Sequence, residues 1–95
     1  MAFDLHWTPK AEEHLAELEK DQAKLKKVRK TLGLLERDPQ YPVLNSHKYD
    51  SLKGPDGVDI WASYVENNTP AAFRVFWFYG VGAGVITVVA ITKHP

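Results

Sequence analysis

The chain has 95 residues, which is enough for one domain with a modest hydrophobic core. Hydrophobic residues make up 44% of the sequence and charged residues 25%, a balance typical of a folded globular chain and not of a disordered one. No apolar run reaches the roughly 18 residues of a membrane span, and the lack of cysteine excludes disulfides, thiol nucleophiles and thiolate zinc sites.

The net charge of zero conceals a segregation of charge along the chain. Met1–Glu19 carries five acidic residues and one basic residue, whereas Lys20–Arg37 carries seven basic and two acidic residues. A basic stretch can hold phosphate groups even on a neutral protein, and Lys24 and Lys27 are candidate contacts to such a substrate. A solvated helix face explains the same lysines equally well, and both interpretations stay open.

The amino-terminal segment Met1–Trp7 has neither the basic start nor the apolar core of a secretory signal. We therefore expect a cytoplasmic protein without a membrane anchor. Within the segment, Phe3, Leu5 and Trp7 alternate with polar residues. This period of two predicts a first strand.

Two helices are predicted after this strand. Thr8 is a suitable N-cap, and Pro9 suits the first helical position. Apolar residues then recur at helical spacing at Ala11, Leu15, Leu18, Leu25, Val28, Leu32 and Leu35. The apolar pattern lapses at Lys20–Gln22, which predicts a tight turn in an antiparallel helical hairpin; one long bent helix is the alternative. The second helix should end before Asp38, because the residue preceding a proline avoids helical geometry.

The second half of the chain is predicted to be a long loop followed by three strands. Gln40–Gly57 contains prolines and an Asp-Gly pair typical of loops. Val58–Glu66 predicts a strand, and Asn67–Pro70 a turn. Phe73–Tyr79 and Val85–Thr92 are rich in aromatic and β-branched residues and predict a closing hairpin with a glycine-rich link. The expected fold is one α+β domain spanning residues 1–95, in the order β-α-α-β-β-β, with a small antiparallel sheet packed against the helical hairpin.

The closing hairpin has apolar residues at both parities, so we expect both of its faces to be largely covered. Arg74 and His94 interrupt this pattern. If the link is symmetric, Tyr79 lies opposite Val85, and Arg74 lies opposite Ala90. Arg74 and His94 then share one face with their backbones about 13 Å apart along the strand direction. Two polar side chains at that separation can converge on one ligand.

The order and residues of five segments together resemble the RelE/ParE toxin superfamily of bacterial toxin–antitoxin systems. These segments are FDLHWTPKAEEHL, LGLLERDP, LKGPDGVDIW, FRVFWFY and ITKHP. The third of them is similar to a stretch of the YoeB-like branch. The resemblance covers nearly the whole chain and implies a RelE-like fold. It also implies a ribosome-dependent endoribonuclease that cleaves mRNA by attack of a 2′-hydroxyl on the neighbouring phosphate. The implied partners are the ribosome, mRNA and a cognate antitoxin, and no cofactor is implied.

The resemblance assigns roles to four residues of this chain. Asp50 would be the general base, Lys53 and Arg74 would stabilise phosphate charge, and His94 would be the general acid. Each has a structural alternative: a loop-capping aspartate, a solvated lysine, an arginine paired with Asp50 or Asp59, and a histidine near a frayed chain end.

Two further polar residues belong to the same predicted loop. His47 and Lys48 are candidates for substrate contact or as substitutes for Asp50. The four histidines of the chain lack metal-ligand spacing, so we expect no metal.

The chain also departs from the YoeB-like pattern, which has arginines soon after the tryptophan where this chain has Ala62, Ser63 and Tyr64. Its neutral charge is likewise unusual for a protein that binds the ribosome. The alternative function is therefore a ParE-like gyrase inhibitor, or a catalytically silent member that acts only by protein binding.

Overall fold

The computed structural model describes residues 2–66 and 72–93. In chain order its helices and strands are β1 (Asp4–Trp7), α1 (Pro9–Leu18), α2 (Gln22–Arg37), β2 (His47–Lys53), β3 (Asp59–Tyr64), β4 (Phe73–Tyr79) and β5 (Val85–Lys93). The turn predicted at Asn67–Pro70 and the candidate residue His94 both lie outside the described residues. No helix in the described part of the chain has the length and apolar character needed to cross a membrane.

The strands form one sheet in the order β1-β5-β4-β3-β2. β1 runs parallel to β5, with Asp4 opposite Val85, and the other neighbouring pairs are antiparallel. The predicted α+β class is confirmed, while two details differ. The sheet is mixed, and the loop predicted at Gln40–Gly57 contains an additional edge strand, β2. Six of the seven β2 residues are exposed, so the apolar alternation that identifies most strands is absent there.

Two capped helices pack on the sheet, and one long bent helix is excluded. Thr8 Oγ1 accepts a hydrogen bond of 3.1 Å from the Ala11 amide, as the N-cap prediction requires. Asp21 caps α2 in the same way, through a 3.1 Å bond from the Lys24 amide to Oδ1. The connection between the helices is only three residues long, which places α2 beside α1.

Each face of the sheet has its own apolar cluster. The face under the helices holds the larger cluster, which includes Val28 and Leu35 from α2 and Val75 and Trp77 from β4. The face away from the helices, here called the open face, holds a smaller cluster: Ile60, Ala62, Phe76 and Phe78, with Tyr49, Val89 and Ala90 packed against it. The prediction that both faces of the closing hairpin are covered is confirmed, since β4 residues of both parities are buried.

The register of the closing hairpin differs from the symmetric one. Tyr79 lies opposite Ile86, and Arg74 lies opposite Thr92 in place of Ala90. A displacement of one residue arises at the glycine-rich link. A second displacement of one residue arises after Phe76, where β5 contains one extra residue. Because the two displacements together amount to two residues, Arg74 still faces the side of the sheet that the symmetric register predicts.

A chain of hydrogen bonds fastens the segment before β2 to the core. Ser63 is fully buried, and its Oγ accepts a 2.8 Å bond from Trp77 Nε1. The same oxygen lies 2.6 Å from Ser46 Oγ, which donates in turn to the Pro39 carbonyl at 2.8 Å. Ser63 therefore satisfies an indole N–H that has no access to water, and it links β3 to the segment leading into β2.

Ser63→Ala should lower the free energy of unfolding by about 1–3 kcal/mol, because it leaves the buried Trp77 N–H without an acceptor. Urea denaturation followed by tryptophan fluorescence measures the change. Ser51→Ala, at an exposed position of β2, is the matched control and should change stability by less than about 0.5 kcal/mol. Equal stability of the two variants would show that the buried network contributes nothing.

Glu66 joins the end of β3 to α2 through two ion pairs. Its carboxylate lies 2.8 Å from Lys27 Nζ and 3.3 Å from Lys24 Nζ, and the glutamate side chain is 19% exposed. Lys24 also lies 5.0 Å from the ring centre of Phe73. The hydrogen bond from Lys27, together with the Lys24 ammonium, lowers the pKa of Glu66 below its ordinary value of 4.5. Both candidate substrate lysines of α2 are thus held by one glutamate.

Replacement of Glu66 by glutamine should flatten the acid side of the stability profile. A carboxyl whose pKa is lowered by folding stabilises the protein above its unfolded pKa and loses that contribution as the pH falls through the folded value. Denaturant unfolding from pH 7 to pH 3 should show the difference between wild type and Glu66→Gln shrinking. Glu13→Gln, on the exposed face of α1, should show no such trend. A difference that stays constant over this range would contradict the prediction.

Candidate functional site

Arg74 is half-buried in β4, on the open face of the sheet. Its guanidinium carbon lies 3.9 Å from the ring centre of Tyr64, its neighbour on β3, and its Nη1 donates a 3.3 Å bond to the Ala72 carbonyl. Its Nε is buried and meets no hydrogen-bond acceptor among the described residues. Neither Asp50 nor Asp59 pairs with it, so the predicted alternative of an ion pair with either of them is not formed. The side chain is fixed in place with donor capacity to spare.

Tyr64 is the platform for Arg74 and was not identified from the sequence. The two residues lie directly opposite each other in the antiparallel β3–β4 pair, which brings the aromatic ring under the guanidinium. The contact of Tyr64 with Arg74 follows from the register of β3 against β4, and no local sequence pattern fixes that register.

His47 lies on the other side of Tyr64. It is exposed on β2 opposite Ala62, so it shares the open face with Tyr64 and Arg74. Its imidazole meets the Tyr64 ring edge-on, with ring centres 5.7 Å apart. Its Nδ1 lies 3.0 Å from the Asn45 carbonyl oxygen, which can only accept a hydrogen bond. His47 and Arg74 thus both contact the Tyr64 ring.

Lys48 and Lys53 lie on the opposite face. Both reach Asp59, at 3.3 Å and 2.7 Å respectively. Asp59 lies two residues before Trp61, whose side chain packs against the helix-side cluster, so this triad is on the face that carries the helices. A hydrogen bond from Lys53 is the main cause that lowers the pKa of Asp59, and the same bond raises the pKa of Lys53. The sheet therefore separates these two lysines from Arg74.

Asp50 lies in β2 between Lys48 and Lys53, where the register of β2 against β3 is irregular. It is exposed. The pKa of Lys53 is raised chiefly by its hydrogen bond to Asp59, and the charge of Asp50 adds to this effect.

An apolar groove of about 400 Å³ runs along the open face next to Arg74. Its lining includes Thr92, the β5 residue directly opposite Arg74, together with Tyr49 and Phe76, whose ring centres are 5.2 Å apart. A larger groove of about 520 Å³ lies on the far side, between α1 and the end of β5. Within residues 2–66 and 72–93, no group of three or more histidines and carboxylates is placed to bind a metal ion. The open face thus combines the Arg74 cation, a histidine and an apolar groove.

No protein-family model and no curated protein sequence matches the chain. Solved structures do match. A YoeB/ParE toxin from Agrobacterium tumefaciens has a TM-score of 0.71 at 15% identity, over 97% of this chain and 99% of that one. A YoeB dimer from Staphylococcus aureus has a TM-score of 0.71 at 15% identity, over the full length of both chains. The RelE–RelB complex from the archaeon Pyrococcus horikoshii OT3 gives 0.69 at 16% identity, over 98% and 96%. The chain therefore shares the fold of these YoeB/ParE and RelE proteins, which is the fold that its sequence resemblance predicts.

Proposed function

We propose that this chain is the toxin of a type II toxin–antitoxin system and acts as a ribosome-dependent mRNA endoribonuclease in the cytoplasm. The observation that carries the proposal is Arg74, whose guanidinium is fixed on Tyr64 with a buried Nε that has no protein acceptor within the described residues. Such a donor costs free energy, which is more typical of a functional site than of a residue kept for stability. The fork of donors on a guanidinium matches the oxygens of a phosphate group.

The apolar groove next to Arg74 supports a nucleic-acid ligand. Tyr49 offers partly exposed aromatic surface, and Thr92 adds a hydroxyl at the boundary between groove and guanidinium. Single-stranded RNA is bound by this combination, because bases stack on aromatic rings while cations hold the phosphates. In the proposed reaction the nucleophile is the substrate's own 2′-hydroxyl, so no metal or other cofactor is needed.

Arg74 would stabilise the charge that builds up on the scissile phosphate. The resemblance gives His94 the role of general acid, Asp50 that of base and Lys53 that of second cation. The ion pair of Lys53 with Asp59 is exposed, at 54% and 38% of the two side chains. An exposed ion pair is weak, so an RNA phosphate can compete with Asp59 for the lysine.

A cognate antitoxin is the expected protein partner. The Pyrococcus horikoshii protein of the same fold was solved as a RelE–RelB complex. By analogy we propose that an antitoxin binds this chain along the sheet or the helical hairpin and blocks its activity.

A second candidate function is protein binding without cleavage, as in a gyrase inhibitor or a catalytically silent toxin homologue. The pairing of four lysines with carboxylates favours this second function. Asp59 pairs with Lys48 and Lys53, and Glu66 pairs with Lys24 and Lys27. With zero net charge the chain also lacks the general attraction to RNA that a basic protein has.

Arg74→Ala should abolish most of the activity. Induced expression of the wild type in bacteria should stop protein synthesis and leave mRNA cleaved within coding sequence, and Arg74→Ala should reduce cleavage by about 10²–10³-fold. Arg74→Lys, which keeps the charge but not the fork, should restore only part of it. Pulse labelling of protein and DNA, with mapping of mRNA ends, measures these effects.

Lys10→Ala removes an exposed cation from α1 and should behave as the wild type. Thermal unfolding of each purified variant shows whether a loss of activity reflects a loss of fold. If DNA synthesis stops before protein synthesis, the gyrase function replaces the nuclease. If Arg74→Ala cleaves mRNA as fast as the wild type, Arg74 is not the phosphate ligand and the proposal fails.

A further inference from the structure

We infer that His47 is the general base that accepts the proton of the attacking 2′-hydroxyl. The inference rests on the proposed endoribonuclease function and assigns to His47 the role that the sequence resemblance gives to Asp50. Its basis is the arrangement of three side chains on the open face, in which Tyr64 lies between an imidazole and a guanidinium.

The separation of the two polar groups suits a phosphodiester. The Tyr64 ring centre is 5.7 Å from the imidazole centre and 3.9 Å from the guanidinium carbon, so imidazole and guanidinium are no farther apart than these two distances together. A phosphate oxygen bound to Arg74 and a 2′-hydroxyl bound to His47 each need about 3 Å of hydrogen-bond length. Within that upper limit, one phosphate with its neighbouring ribose oxygen can contact both groups.

The tautomer of His47 also suits a base. The Asn45 carbonyl, 3.0 Å from Nδ1, accepts a hydrogen bond and so keeps the proton of the neutral ring on that nitrogen. Nε2 then carries a free lone pair. The same bond fixes the orientation of the ring, as a positioned catalytic histidine requires.

Asp50 is placed less well for the same task. It lies in the part of β2 whose pairing with β3 is irregular. His47 and Arg74 share the open face. A base must reach the hydroxyl while the cation holds the same phosphate, so the pair has to lie on one face.

The chemical step balances without any further reactant. Nε2 of His47 takes the proton of the 2′-hydroxyl, and the 2′ oxygen forms a bond to phosphorus. The bond from phosphorus to the 5′ oxygen breaks, and its electron pair stays on that oxygen, which takes a proton from the general acid, the role proposed for His94. The products are a 2′,3′-cyclic phosphate and a 5′-hydroxyl end.

The test is single-turnover cleavage of a model mRNA on programmed ribosomes by the purified full-length chain. His47→Ala should slow cleavage by about 10²–10⁴-fold. Added imidazole should restore part of that rate, since a free base can occupy the space left by the side chain. His47→Asn should be equally slow, although its amide can still donate a hydrogen bond to the Asn45 carbonyl. This variant separates the loss of proton transfer from the loss of that hydrogen bond.

His6→Ala is the matched control, an exposed histidine on the opposite edge strand β1, and should cleave at the wild-type rate. The inference is overturned if His47→Ala cleaves as fast as the wild type. It is also overturned if added imidazole does not raise the low rate of His47→Ala and Asp50→Asn is equally slow. If the wild type cleaves nothing, the proposed function fails first. Cleavage that depends on Arg74 but not on His47 overturns this inference alone.

Discussion

The structure depends on β4 being buried on both faces at the centre of the sheet. Val75 and Trp77 are 0% exposed under the helices, and Phe76 and Phe78 are 3% and 4% exposed on the open face. A strand of this kind has no side on which a charged residue can reach water. The single charge of β4 therefore lies near its end, where Tyr64 and Thr92 flank it. The packing of the core therefore decides where a cation can be held on the open face.

The same sheet divides the charged residues of the second half of the chain into two groups. Alternation along β3 directs Asp59 towards the helix-carrying face and Tyr64 towards the open face. Lys48 and Lys53 follow Asp59, whereas Arg74 follows Tyr64. Residues that lie within a few positions of each other in the sequence thus end up on opposite sides of one layer. A set of site residues taken from a linear motif contains both groups, and only the sheet register separates them.

The sequence predicted features that depend on neighbouring residues. The Thr8 cap and the break between the helices were correct, because capping and helical period are local. β2 was missed because its residues are mostly polar and exposed, so no apolar alternation marks it. The platform Tyr64 was missed for a different reason: its contact with Arg74 depends on register between strands that are separated in the chain. A bulge in β5 adds a displacement that no local pattern encodes.

Arg74 itself is an argument that the open face binds a ligand. Its stacking on Tyr64 contributes a favourable cation–π contact, yet its buried Nε lacks an acceptor within the described residues at a cost of about 1–3 kcal/mol. A leucine or valine would satisfy the packing of this strand end without that cost. A residue that breaks the local rule in an otherwise consistent core is characteristic of a functional site.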